Sequence, residues 1–185
     1  MGRVSDYLGP ELRLLFVLGA PWFLVAFGVG ALLRKPVAGA AGGALALAVS
    51  VAVYYAIMLT VERRAGHGYA AAMTVLWGGA AVLCGMLFGA AGAAAVSERA
   101  GHRGAALTLL GGTLAGEALL FIASGRVEAG GSVLACELAI GAGLVLAASR
   151  PSRVRLMTLG ATAALAAASA DGLLRVVMRA HGWGG

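Results

Sequence analysis

The chain has 185 residues, of which 61% are hydrophobic and 12% charged, and it contains no asparagine or glutamine. A soluble domain is about a quarter charged and under half apolar, so this composition excludes a globular core with a wet surface and indicates a chain embedded in lipid. The net charge is +6, but the arginines are spread a few per loop without a basic stripe between aromatic residues. This pattern argues against nucleic-acid binding and indicates contacts with lipid headgroups.

Six apolar segments are long enough, or nearly so, for helices that cross about 30 Å of hydrocarbon at about 1.5 Å per residue. Short connections rich in arginine, glycine and proline join them and leave no room for a separate soluble domain. The sequence therefore predicts an all-α polytopic membrane protein, a bundle of six transmembrane helices that forms a single domain over residues 1–185. The predicted helices cover residues 12–33, 37–61, 69–96, 105–124, 132–148 and 156–178.

The first apolar segment is too long for a cleavable signal peptide, and Arg34 and Lys35 follow it directly, so we expect it to be retained. The abundance of alanine, glycine and arginine is typical of a GC-rich bacterial coding sequence, which predicts a multi-pass protein of the bacterial cytoplasmic membrane. Lysine and arginine are divided equally between the two predicted faces, so the positive-inside rule gives no orientation. Cys84 and Cys136 lie inside spans without metal-ligand spacing, so neither a metal site nor a cofactor is predicted.

Three acids interrupt the later spans at a similar depth. Glu117, Glu137 and Asp171 each lie five to seven residues from the helix end at the same predicted membrane face, which is roughly 8 to 10 Å at helical rise. Glu117 has no cation on its helix face, so we expect a protonated carboxyl group that can donate a proton. Glu137 is shallow enough to be either a headgroup anchor or a site residue, and Asp171 precedes Arg175 by four residues and can pair with it.

Four aromatic residues are predicted at the same level of the bundle: Trp22, Tyr54, Tyr55 and Trp77. They lie deeper than an interfacial aromatic belt, so they either pack in the core or line a pocket beside the acids. Pro21 can kink the first helix and widen the same region. The sequence therefore predicts an acid- and aromatic-lined cavity that opens toward one face of the membrane.

Three GxxxG pairs allow close approach between helix backbones, namely Gly39/Gly43, Gly85/Gly89 and Gly112/Gly116. In a chain with 30 glycines, three such pairs are no more than chance would supply. They indicate helix packing and do not identify a function.

Short motifs stand in most of the predicted helices: Pro21 to Phe27, the break at Arg34 to Pro36, Tyr54-Tyr55, Gly85/Gly89 after Trp77, Gly116 to Leu119 and Glu137-Leu138. Together they resemble a family of small six-helix bacterial membrane proteins of unknown function. The resemblance covers most of the chain. It implies six helices in a bacterial membrane and brings no established activity.

Three classes of function fit these observations. The first is transport or capture of an apolar, amphipathic or cationic small molecule, with Glu117 as proton donor and acceptor and with Glu137, Asp171 and the aromatic residues as ligand contacts. The second is an intramembrane enzyme, such as a metal-independent, proton-initiated isoprenoid cyclase. The third is a non-catalytic membrane partner subunit.

The expected partners follow from the same residues. The absence of side-chain amides disfavours strongly hydrophilic solutes, because their binding sites need several fixed donors and acceptors. We expect contacts with membrane lipid and with a lipophilic or cationic small ligand. A membrane protein partner and a homo-oligomer both remain open.

Overall fold

The computed structural model describes residues 18–57, 59–60, 67–124 and 131–148. All the regular structure in these residues is helical, α-helical apart from residues 59–60, which are π-helical, and this confirms the predicted all-α class for this part of the chain. The helices are α1, Ala20–Leu33; α2, Pro36–Ile57; α3, His67–Ala95; α4, Ala100–Ala123; and α5, Gly131–Ala148. Four of them, α2 to α5, are long and apolar enough to cross a membrane, whereas α1 has only 14 residues. The chain is a membrane protein by these lengths.

The prediction of one continuous helix over residues 12–33 is wrong. Leu18 and Gly19 are not helical, and α1 begins only at Ala20. Pro21 explains this start, because the proline ring would clash with the carbonyl of the residue four positions earlier if the helix continued upstream. Proline is well tolerated in the first turn, where its missing N–H would have no helical partner.

Two other predicted boundaries also change. Helix α4 begins at Ala100, five residues before the predicted start at 105, so His102 lies in its first turn. Helix α3 begins at His67 instead of 69. The predicted sixth helix over residues 156–178, together with Asp171, lies outside the described residues, so the described part contains five helices of the six that were expected.

A tight connection joins α1 to α2. The N–H of Arg34 bonds to the carbonyl of Gly30 at 3.0 Å, and Arg34 then takes the left-handed conformation with φ of 59°. Pro36 starts the next helix at a position that suits its fixed φ. Because only two residues separate the helices, α1 and α2 are antiparallel neighbours, and Gly42 of α2 lies against Leu33 of α1.

The chain divides into two compact units. Among the described residues, 21–57, 59–60 and 67–106 belong to the first unit, and 18–20, 107–124 and 131–148 belong to the second. The boundaries fall just after the first residue of α1 and within α4. The prediction of a single domain stays a prediction.

Glycine contacts hold α2 against α3 in the first unit. A Cβ at Gly85 would lie 2.5 Å from the carbonyl oxygen of Gly43, and a Cβ at Gly39 would lie 2.5 Å from that of Gly89. The GxxxG pair of α2 therefore packs directly on the GxxxG pair of α3, and the reversed order of the contacts shows that the helices are antiparallel. The number of GxxxG pairs in the sequence could not predict this contact, because it does not show which helix faces meet.

Helix α1 also contacts α3 near these glycines, and the three helices form a junction at Gly89. Gly30 of α1 lies against the backbone of Gly89. Phe23 of α1 stacks on Phe88 of α3 with ring centroids 4.6 Å apart and an interplanar angle of 14°. This offset-stacked separation is favourable for aromatic rings and fixes α1 beside α3 near the start of α1.

In the second unit, α4 packs on α5. The buried face of α5 carries Leu134, Glu137 and Gly141, which follow helical spacing. A Cβ at Gly141 would lie 2.6 Å from the carbonyl oxygen of Gly111 and 2.7 Å from the amide nitrogen of Ala115. The two helices are therefore in near backbone contact at Gly141, and this contact places the glutamate one turn away, Glu137, against α4.

Candidate functional site

The carboxylate of Glu117 binds the start of α1. Its Oε1 atom accepts the N–H of Gly19 at 2.6 Å, and its Oε2 atom accepts the N–H of Ala20 at 2.8 Å. Both contacts lie within the second unit. The partly buried acid therefore has two main-chain donors, one for each oxygen, and both are supplied by a segment almost a hundred residues away in the sequence.

The local sequence of α1 explains why this helix needs a cap from elsewhere. The first N–H groups of a helix have no partner within the helix and are usually capped by Ser, Thr, Asp or Asn. Here the residues at the start are Leu18, Gly19 and Ala20, which have no such side chain, and Pro21 has no N–H. Glu117 supplies the missing acceptors.

Glu137 lies beside Glu117 without comparable donors. Its side chain is on α5, and its residue is only 7% exposed. Its carboxyl group interacts directly with that of Glu117. Both of its oxygens are shielded from solvent, and neither accepts a hydrogen bond from a donor within the described part of the chain. Two carboxylates are both acceptors, so the pair can form a hydrogen bond only through a shared proton.

The two acids lie at the same depth in their helices. Glu117 lies six residues before the end of α4 at Ala123, and Glu137 lies six residues after the start of α5 at Gly131. Each is therefore about 9 Å from its helix end at helical rise. An ionised carboxyl group at this depth in a membrane costs several kcal/mol unless it is paired.

No cationic side chain belongs to the described residues of the second unit, which are 18–20, 107–124 and 131–148. Besides the two glutamates, Cys136 has the only titratable side chain in these ranges, and it is exposed. The hydroxyl of Thr113, one turn before Glu117, donates to the carbonyl of Leu109 at 2.8 Å within its own helix. Within these residues, therefore, only main-chain N–H groups balance the negative charge of the pair, and these N–H groups bond to Glu117.

Apolar side chains flank the carboxyl pair along both helices. Leu114 and Phe121 lie one turn before and one turn after Glu117, with exposures of 2% and 5%. Leu134 lies one turn before Glu137 with an exposure of 1%. The carboxyl groups are therefore held in a low-dielectric environment, where an unpaired charge is expensive and a paired one interacts strongly.

A family model matches residues 6–178, which is most of the chain and includes every described helix and both glutamates. The chain belongs to the family of unknown function DUF6518. This assignment agrees with the resemblance to a family without established activity. No curated protein and no solved structure matches the chain.

The structure brings together two of the acids that the sequence singled out in this DUF6518 protein, Glu117 and Glu137. Asp171 lies outside the described residues. The backbone donors of Gly19 and Ala20 are the functional groups that sequence reasoning missed. A helix start without a capping side chain, directly before Pro21, was the feature that could have indicated them.

The four aromatic candidates of the DUF6518 protein all belong to the first unit. Tyr54 and Tyr55 pack edge to face with centroids 5.2 Å apart. Tyr55 is buried, whereas Tyr54 is 46% exposed. Trp22 and Trp77 are partly buried. The cavity shared by these rings and the acids stays a prediction.

The DUF6518 site offers acid–base and cation-binding chemistry. Within the described residues there is no group of three or more His, Cys, Asp and Glu side chains that could hold a metal ion. The pair has one carboxylate that is held by main-chain donors and a second carboxyl group that has no donor in the described part of the chain. Such a pair can take up and release one positive charge.

Proposed function

We propose that this DUF6518 protein transports or captures an apolar, amphipathic or cationic small molecule across or within a bacterial cytoplasmic membrane, and that the Glu117 and Glu137 pair exchanges a proton during this process. One observation carries the proposal: a buried carboxyl group that has no donor among the described residues lies beside a second carboxyl group inside apolar helices. Ionisable groups in membrane spans mark ion, proton and substrate pathways.

The electrostatics of the pair support proton exchange. Two adjacent carboxyl groups in a low-dielectric environment resist being ionised together, so one proton or one cation at the pair changes its free energy strongly. A cationic ligand and a proton would therefore compete for the same charge. This competition is the physical basis of proton-coupled exchange.

The missing donor of Glu137 favours this function over that of a purely structural partner subunit. Acids that only hold helices together gain most when all their oxygens are hydrogen-bonded, because a buried polar group without a partner is costly. Within the described residues, Glu117 has both oxygens hydrogen-bonded and Glu137 has neither. The proposal extends to a sixth span over residues 156–178, in which Asp171 would be a further ligand contact, and to the predicted lining by Trp22, Tyr54, Tyr55 and Trp77.

Reconstituted vesicles test this function. Purified full-length protein is placed in liposomes that contain a pH-sensitive dye, and ethidium is added as a lipophilic cation. We expect ethidium-dependent proton flux that is lost in Glu117→Gln and in Glu137→Gln. Glu98→Gln is the matched control, because Glu98 is an exposed acid outside the helices. Flux that persists in both variants would overturn the role of the pair.

Native mass spectrometry of gently purified protein identifies the class of ligand independently. A bound amphipathic or cationic small molecule that is lost in Glu137→Gln would support the proposal. A stoichiometric protein subunit, with no small molecule and no flux, would favour the partner role instead. Conversion of an added isoprenoid by the purified protein would favour an enzyme.

A further inference from the structure

The two carboxyl groups of the pair differ in how their charge is compensated. Both oxygens of Glu117 accept main-chain N–H groups, those of Gly19 and Ala20. Neither oxygen of Glu137 has a donor within the described residues, although the side chain is more than nine-tenths buried. The compensation already present therefore serves one acid and leaves the other in need of a positive charge.

We infer that Glu137 is the binding site of a single exchangeable monovalent cation, a proton or a small alkali ion, and that Glu117 is a fixed anion that holds the start of α1. This inference rests on the proposed function and assigns different roles to the two acids that share it. It also reverses the expectation from the sequence, in which Glu117 was the residue that exchanges a proton.

The groups that face Glu137 limit what it can bind. Helix α4 presents Glu117, and α5 itself adds only Cys136 as a titratable neighbour, which is exposed. The segment at Gly19 and Ala20 contributes backbone N–H groups that are already bonded to Glu117. Nothing in the described residues of this unit supplies a fixed cation. Among these described residues, therefore, positive charge at Glu137 can come only from a mobile cation.

The number of oxygen atoms favours a single charge over a divalent ion. Calcium and magnesium take about six or more oxygen ligands at close distances. The two carboxyl groups offer few oxygens, and those of Glu117 already accept hydrogen bonds. One proton or one monovalent ion between the carboxyl groups balances the second negative charge, and a proton does so without further ligands.

Carbodiimide labelling tests the assignment without any measurement of transport. Dicyclohexylcarbodiimide enters membranes and reacts with protonated carboxyl groups to form a stable acylurea, which peptide mass spectrometry locates. Full-length wild-type protein in membranes is labelled at a series of pH values, with sodium chloride or choline chloride at equal ionic strength. We expect at least about tenfold more label on Glu137 than on Glu117, a ratio that corresponds to about 1.4 kcal/mol.

The pH series and the comparison of sodium with choline identify the cation, and other outcomes would overturn the inference. If the label on Glu137 falls as pH rises and is the same in sodium and choline, the bound cation is a proton. If sodium lowers the label and choline does not, the bound cation is an alkali ion. Label mainly on Glu117, or no label on either residue at any pH, would overturn the inference. Because the site is mapped in wild-type protein, no variant has to fold. Label on Glu137 without flux in vesicles would leave this site standing and reject transport, whereas flux with label on Glu117 would reject this inference alone.

Discussion

The carboxylate of Glu117 accepts the backbone N–H of Ala20 at 2.8 Å, across 97 positions of sequence. Ala20 is the first residue of α1, so an acid in one apolar helix caps the start of another. A buried carboxylate in a membrane usually needs a cation nearby. Here two main-chain donors take that role, and among the described residues the neighbouring Glu137 has no such donor.

Replacing Glu117 should destabilise the protein. Glu117→Ala removes the charged acceptor of two hydrogen bonds, those donated by the N–H groups of Gly19 and Ala20. We expect this loss to lower the free energy of unfolding by about 3 kcal/mol. Glu117→Gln keeps one acceptor oxygen and should lose about half as much. Thermal unfolding in detergent measures both effects, with Glu98→Gln as the exposed control. Equal melting temperatures for Glu117→Ala and wild type would show that the cap does not contribute to stability.

Replacing Glu137 should have the opposite effect on stability. Glu137→Met puts an apolar side chain of similar size where a buried carboxyl group has no donor. Replacing buried ionic groups by apolar ones is often stabilising, by about 1 kcal/mol or more. We expect a raised melting temperature together with complete loss of ethidium-dependent proton flux. A decrease in stability like that of Glu117→Ala would indicate that Glu137 has a structural role.

The glycine contact between α4 and α5 should determine how closely the carboxyl groups approach. In Gly141→Ala the new Cβ meets the backbone of Gly111 and Ala115, so the helices must move apart. We expect a loss of about 1 to 3 kcal/mol of stability, as for other overpacked sites, and weaker coupling between the acids.

A matched variant lies on the same helix. A Cβ at Gly143 would have nothing within 4 Å, so Gly143→Ala should be neutral or stabilise α5 by up to about 1 kcal/mol. Melting temperature and the distribution of carbodiimide label between Glu117 and Glu137 report on both variants. Identical behaviour of the two variants would contradict close packing at Gly141.

The junction of α1, α2 and α3 should be equally sensitive at Gly89. A Cβ there would collide with the carbonyl of Gly39, and the colliding atoms belong to backbone that cannot rotate away. Gly89→Ala should therefore lower the free energy of unfolding by about 1 to 3 kcal/mol. Gly79→Ala on the same helix meets nothing within 4 Å and should not destabilise the protein. A melting temperature for Gly89→Ala at or above that of Gly79→Ala would argue against this packing.

Much of the architecture could be predicted from sequence because it depends on local properties. Apolar runs of about 20 residues predict membrane spans wherever they occur, and four of the predicted spans correspond to described helices of that length. The common depth of Glu117 and Glu137 follows from counting residues along each helix at a fixed rise. The start of α1 was not predicted correctly, because hydropathy contains no information about the steric clash that Pro21 would cause if the helix continued upstream.

Composition and hydropathy by themselves determined that this protein is a helical membrane protein with acids at one depth, since each of these properties belongs to a single segment. Only the tertiary structure decided that Glu117 is held by Gly19 and Ala20, that Glu137 lies beside it with no donor among the described residues, and that the glycine pair of α2 meets the pair of α3. These relationships depend on the rotation and pairing of helices distant in sequence. The same apolar pattern is compatible with many such arrangements, and backbone contact at glycines is among the features that distinguish them.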